Sequence, residues 1–358
     1  MKKAGKTFMI IFLGVIIFIF VLLLIWVLLS PGKIREYTEE NSLSEKFVTD
    51  INGAPNGFFI NSKNTDNPVL LFVSSGPGTD DYVFTDKYKD MDLEEYFTVV
   101  YWDYRDMGIA YDRDYDTSEI TLDNIMQDVH SVTAYLKDRF SKDKIYIMGF
   151  SGGTHIALRA AEMYPEDYIA LINMAQCVTD SPDNDTLMYD FMKGVFTKRN
   201  DKKALKKLEA SVEINEEGKV VCKDWYNYVY LIHDAGGGTI YNKTEFEGVV
   251  LPILFCRCYT VKEKLSYVPA MKMYRTTPLS KELDNFDYRK EITKLKIPAY
   301  FISGEYDYNC PWELAEEYNN ILEVPDKGFY KISDSAHSPL WENPKETIKV
   351  LKEIREKY

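Results

Sequence analysis

The tightest constraint in this 358-residue chain is the run IYIMGFSGGTHIALRAAEMY, residues 145–164. Its first residues are β-branched or aromatic and apolar, which suits a strand buried on both faces. Its last eleven suit a helix. Only Gly149-Phe150-Ser151-Gly152-Gly153 lies between them. A strand that turns directly into a helix is the start of a βα unit, so the chain must build a mostly parallel sheet with helices packed on it. The same stretch sets a lone serine on the bend, where small neighbours permit a strained backbone and leave the hydroxyl exposed.

Other apolar runs agree with that architecture. They fall at 46–51 and 57–61, separated by Asn52-Gly53 and Pro55-Asn56-Gly57 turn signals, and then at 69–73, 97–102, 145–148, 169–174, 298–302 and 328–332. Residues 121–140 carry Leu122, Ile125, Met126, Val129, Val132 and Leu136 on one helical face. Between 177 and 290 the alternation lapses, and helical patterns near 185–198, 202–211 and 222–233 predict a helical insertion, or cap. The expected division is a membrane anchor at 1–30, a stalk at 31–45, an α/β core at 46–176 and 291–358, and the cap at 177–290.

Residues 8–29 carry no charge over 22 positions. As a helix they would extend roughly 33 Å, enough for a bilayer core. A cleaved signal peptide would have a shorter apolar region and a small-residue cleavage site, whereas Leu28-Leu29-Ser30-Pro31-Gly32 follows here. The expectation is an uncleaved anchor in the cell membrane. Lys2, Lys3 and Lys6 precede the span, and Lys33 and Arg35 follow it among Glu36, Glu39 and Glu40. That excess of lysine places the N-terminus inside and the body of the chain outside. Net charge is −13, and the only short basic run is KKALKK at 202–207, which argues against nucleic acid as a partner. The five cysteines show no disulfide or zinc spacing and read as free structural thiols.

A nucleophilic serine needs a base, and the base needs an acid to orient it. Among His130, His155, His233 and His337, only His337 lies in a loop directly after a late strand, in KISDSAHSPLW. The other three read as structural or surface residues. The acid should follow a strand between the serine and the histidine. Asp307 satisfies this after 298–302, and Asp180 or Asp183 would satisfy it after 169–174. The tetrahedral intermediate of acyl transfer also needs backbone donors. The Gly152 amide stands next to the serine, and the small-residue loop Ser74-Ser75-Gly76-Pro77-Gly78 follows an early strand as the second donor's loop should. No metal or cofactor is required by this chemistry.

Taken in order, these blocks resemble the proline iminopeptidase group (peptidase family S33) of the α/β-hydrolase fold. SSGPG at 74–78 is similar to the family's HGGPG, and DYRDMG at 103–108 to its DQRGxG. GFSGG at 149–153 is similar to GxSxGG, and GEYDYNCP at 304–311 followed by AHS at 336–338 is similar to GxxDxxCP and GHS. Ser74, Ser75 and Asp106 depart from the family's His, Gly and Gly, and the Trp often found after the serine is missing. The resemblance implies a triad of Ser151, Asp307 and His337, oxyanion donors at Gly152 and the Ser75–Gly76 region, and a non-nucleophilic Cys310. It also implies aminopeptidase activity on short peptides. Relatives in that group grip the substrate's free amino group with cap carboxylates; the sequence does not map these, although Asp183, Asp185, Glu245 and Glu247 are available. The alternatives are an esterase or other small-acyl hydrolase on the same fold, or a binding protein that has kept the fold.

Overall fold

The structure, a computed structural model, describes residues 2–76, 81–88 and 92–358, with side chains from Met9 onward. Chain order begins with α1 (Lys2–Leu28), the hairpin β1 (Leu43–Ile51) and β2 (Ala54–Ser62), β3 (Val69–Val73), the short α2 (Tyr82–Lys87), β4 (Thr98–Asp103) and α3 (Leu122–Arg139). It continues through β5 (Ile145–Phe150), α4 (Gly153–Met163) and β6 (Tyr168–Met174) into a helical segment. That segment contains α5 (Pro182–Lys198), α6 (Lys202–Ala210), a small hairpin of β7 (Val212–Ile214) and β8 (Val220–Cys222), and α7 (Trp225–Ala235). It goes on through α8 (Leu251–Phe255), α9 (Val261–Tyr274), α10 (Pro278–Glu282) and α11 (Tyr288–Glu291). The chain closes with β9 (Ala299–Gly304), α12 (Trp312–Ile321), β10 (Lys327–Ile332), α13 (Pro339–Glu342) and α14 (Pro344–Arg355).

Among the described residues, eight strands form the main sheet in the order β1-β2-β4-β3-β5-β6-β9-β10. Only the β1–β2 and β2–β4 pairs are antiparallel. The expected apolar runs all fall in these strands, with ends moved by one to three residues. Side chains alternate between two cores, as the two-residue period of a strand demands. Leu71 and Val73 of β3 face the α3–α4 layer with Val129, Val132 and Ile156, whereas Leu70 and Phe72 face Leu351 and Ile354 of α14. Burying each such side chain contributes about 1.5–3 kcal/mol. Thr121 caps α3 by accepting from the Asn124 amide.

Two features differ from expectation. Residues 31–42 do not stand off as a stalk. Pro31 bridges Thr260, the Lys33 amide donates to the Arg257 carbonyl, and Asn61 donates to the Arg35 carbonyl, so this stretch lies along the body. Its backbone polar groups find partners there, which a polar composition alone cannot foretell. The second is the β7–β8 hairpin, three residues a side and too short to show a period.

The helical segment has its own apolar centre of Met188, Met192, Phe196, Leu208, Tyr228 and Ile232. Its two ends lie side by side. The Asp180 amide donates to the Phe286 carbonyl and the Tyr288 amide to the Val178 carbonyl, both at 3.0 Å.

α1 projects away from the body, and none of Met9–Leu28 is buried in the protein. It is long and apolar enough to cross a bilayer, as a membrane span or a signal sequence would be.

Candidate active site

Ser151 follows β5 directly and takes φ +49°, the left-handed region that a non-glycine residue rarely adopts. The surroundings hold it there. A Cβ on Gly149 would come within 2.7 Å of the Thr154 Cα, and one on Gly153 within 2.6 Å of the Ser74 carbonyl. Strand, bend and helix therefore press together only because both positions are glycine.

β9 and β10, neighbours in the sheet, deliver the other two groups. Ser151 Oγ lies 2.8 Å from His337 Nε2, and His337 Nδ1 lies 3.0 and 3.1 Å from the two Asp307 oxygens. The Asp307 carboxylate is fully buried, and its Oδ1 also accepts the Asn309 and Cys310 amides at 3.1 and 3.0 Å. Burial pulls the His337 imidazole down, but the charge and hydrogen bond of Asp307 outweigh it, so its pKa stands above the ordinary value. Gly304 lets the two loops meet: a Cβ there would come within 2.5 Å of the Ser335 carbonyl. The chain thus brings together the three residues expected from sequence order. The alternative acids sit elsewhere. Asp183 pairs with Lys219 and Arg289, and Asp180 accepts the Asn285 amide.

The opposite side of Ser151 is arranged differently. The Gly152 amide opens the first turn of α4, where helix dipole and unpaired amides favour negative charge. It has no acceptor among the described residues. Across from it, Ser75 is already engaged: its amide donates to Asp81 Oδ2 at 2.6 Å and its hydroxyl to Oδ1 at 2.8 Å. Burial pushes the Asp81 carboxyl up to about 7, and the two Ser75 bonds and the His337 charge hold it from rising further. Gly76 has φ +51° and packs under the Tyr104 hydroxyl. Its amide has no acceptor among the described residues. Pro77 and Gly78 of this loop lie outside the described residues.

Two groups at the site were not singled out by the sequence. Asp81 is one. Glu342 is the other: its Oε1 accepts the Ala336 and Ser338 amides at 3.1 and 2.9 Å, wrapping the His337 loop. Its Oε2 accepts the Tyr241 amide of the helical segment at 2.6 Å. Burial raises its carboxyl to about 7 against these hydrogen bonds. A signal did exist, since Glu342 ends the short turn SPLWE just after His337, but it names no partner.

The block at 103–108 has a structural part. Asp103 accepts the Ile109 amide, and Arg105 forks onto buried Asp128 at 2.7 and 2.8 Å. Asp106, which departs from the family's glycine, has φ +57°. Aspartate tolerates that region better than most side chains. Of the candidate amino-group carboxylates, Asp185 accepts the Cys222 amide, Glu247 caps Thr244, and Glu245 is exposed. All five cysteines are free, and the Cys177 and Cys310 sulfurs approach to 3.5 Å.

A mostly parallel sheet with the serine bend after β5, an acid after β9 and a histidine after β10 defines the α/β-hydrolase fold. Within that fold the chain is similar to proteins named as an aminopeptidase, a proline iminopeptidase and an esterase. It is 26% identical over 312 residues to "Probable aminopeptidase YbaC" of Bacillus subtilis (strain 168), covering 86% of this chain and 94% of that protein. The solved proline iminopeptidase of Mycobacterium smegmatis superposes with a TM-score of 0.59 at 15% identity, over 87% of this chain and 98% of that one. A thermophilic esterase from Thermogutta terrifontis gives 0.51 at 17% identity, over 88% and 98%. No family model matches the chain.

Proposed function

We propose that this protein is a membrane-anchored serine hydrolase that removes N-terminal residues from short peptides. The observation that carries the chemistry is the hydrogen-bonded run from Ser151 through His337 to Asp307. His337 Nε2 takes the Ser151 proton as Oγ attacks the scissile carbonyl. Asp307 holds Nδ1–H, fixing the tautomer and stabilising the imidazolium. The oxyanion is met by the Gly152 amide and by the Ser75–Gly76 loop. Gly76 is the better placed of that pair for this task, because the Ser75 amide is given to Asp81. Collapse expels the amine, which takes the proton from His337. Water then enters by the same base to release the acid. Residues 177–290 act as a cap that shapes the substrate pocket. Residues 1–30 anchor the chain with its N-terminus inside and the hydrolase outside.

Peptidase activity is favoured by the relative named as an aminopeptidase. An esterase is the second reading, and one observation favours it: Asp183 and Asp185 already hold protein partners, so they are not free to grip an amino group. Aminoacyl-β-naphthylamides, prolyl included, set against p-nitrophenyl esters decide between the two. Release of naphthylamine that vanishes in Ser151→Ala supports the peptidase. Ester turnover without amide turnover rejects it. No turnover, together with no fluorophosphonate labelling of Ser151, rejects hydrolase chemistry altogether.

A further inference from the structure

The foot of α1 is fastened to the body rather than hinged. Trp26 Nε1 donates to the Leu254 carbonyl at 2.8 Å. Lys264, itself buried, donates to Ser30 Oγ and to the Leu254 and Cys256 carbonyls at 2.7–2.9 Å. These contacts join the end of the apolar helix to α8 and α9. From that joint an unusual surface leads away. Phe255, next to Leu254, is 62% exposed, and Leu265, next to Lys264, is 63% exposed. Along α9 the exposed positions are Lys262, Leu265, Val268, Pro269 and Lys272, and Arg275 follows just past its end. Spacings of three and four residues put them on one helical face. The stripe is apolar and basic with no acid on it, in a chain whose net charge is −13. Asp112 and Asp114 lie only across the groove it borders. At its far end Arg275 bonds Tyr226, beside half-exposed Trp225.

We propose that this face of α8 and α9 rests on the bilayer as a second, interfacial contact. Its apolar side chains enter the boundary between headgroups and acyl chains, and Lys262, Lys272 and Arg275 pair with anionic headgroups. The exposed apolar side chains can sink into that boundary, while the long stems of the neighbouring Lys and Arg let their charges reach anionic headgroups. An occupant is indicated because the stripe starts where the bilayer-length helix joins the body. The inference rests on α1 being a retained membrane span.

The test uses the full chain in vesicles of phosphatidylcholine and phosphatidylglycerol carrying a phospholipid with a photoreactive diazirine near its glycerol. Cross-linked peptides are located by mass spectrometry. Adducts are expected on 255 and 262–275 as well as on α1. Leu265→Glu with Val268→Glu should cut the α9 adducts about tenfold while leaving α1 adducts and the far-UV circular dichroism spectrum in detergent unchanged. Leaving out phosphatidylglycerol should weaken the α9 adducts further. Adducts confined to α1 in a carbonate-resistant chain overturn the stripe alone, as does α9 cross-linking to a second copy of the protein. Release of the chain by carbonate, or a mature mass lacking residues 1–30, overturns the anchor and the stripe together.

Discussion

The two sides of Ser151 are organised in opposite ways. On the His337 side, the groups of the proposed triad are already bonded in series, Ser151 to His337 to Asp307, with two amides on Asp307 and Glu342 holding the loop. On the Ser75 side, the amide expected to meet the oxyanion is bonded to a buried carboxyl instead. The proposed proton path is thus fixed in advance by packing between neighbouring strands, whereas the proposed anion-binding side depends on a loop whose hydrogen bonds serve the loop first. Preorganisation of this kind lets a low-dielectric site work without rearranging at the moment of reaction.

The sharpest way to break the contrast is Asp307→Asn. It keeps the shape but removes the charge that holds the imidazole tautomer, and kcat should fall by about 10³–10⁴ with little change in KM. Because Asp307 is what raises His337, the acid limb of any residual pH–rate profile should move to lower pH. Next in size is Gly304→Ala. A methyl pressed into the Ser335 carbonyl must part the acid and base loops, costing about 1–3 kcal/mol of stability and lowering kcat as well. Thermal unfolding and ester turnover on one preparation would show both.

Glu342→Ala leaves three amides without their acceptor and should lower kcat about tenfold or more. Glu342→Gln keeps one acceptor oxygen, enough for the Ala336 and Ser338 amides, and should restore part of it. Failure of that rescue would make Glu342 a charge partner rather than a positioning residue. The smallest effect is expected on the other side. Asp81→Asn should alter kcat less than about threefold, since an amide oxygen still accepts from Ser75.

Asp81 has its signature in stability. Its folded pKa is raised to about 7, so the stability tied to its proton is fully present below the ordinary carboxylate range and is lost as pH rises through about 7. Asp81→Asn should therefore melt higher than the native chain above pH 7, and the gap should close toward pH 4. Glu342 and His337 are shifted upward too, so they act with the same sign. Melting temperature should fall from pH 6 to 8.5 while activity, which needs a neutral His337, rises. Parallel pH profiles of melting and kcat/KM test this, and a melting temperature that rises alongside activity would refute it.

Much of this was legible in the sequence because the signals are local. The Ser151 bend is visible in five residues, and β3, β5, β6 and β9 are short apolar runs between turns. His337 stood out because its three rivals lie on helices. What stayed hidden depends on distant pairing. Asp81 is one acidic residue in a loop until Ser75 lies on it, and Glu342 ends a helical turn until Tyr241 arrives from a hundred residues upstream. Asp180 and Asp183 fitted the spacing for an acid, and only the sheet order, with β9 and β10 side by side, shows why Asp307 reaches His337. Residues 31–42 looked free because a polar composition does not reveal what its backbone bonds to.

The neck of the helical segment has a consequence for how such chains diversify. Because residues 178–180 and 286–288 are bonded to each other, the path leaves and rejoins the sheet at nearly one point. Loop closure at that point depends only weakly on how much chain is inserted. The segment is thus a cassette: it can be lengthened, shortened or exchanged with β6 and β9 still in register. The strands that carry Ser151, Asp307 and His337 would keep their register under such a change, while the Tyr241 bond to Glu342 would have to be made anew.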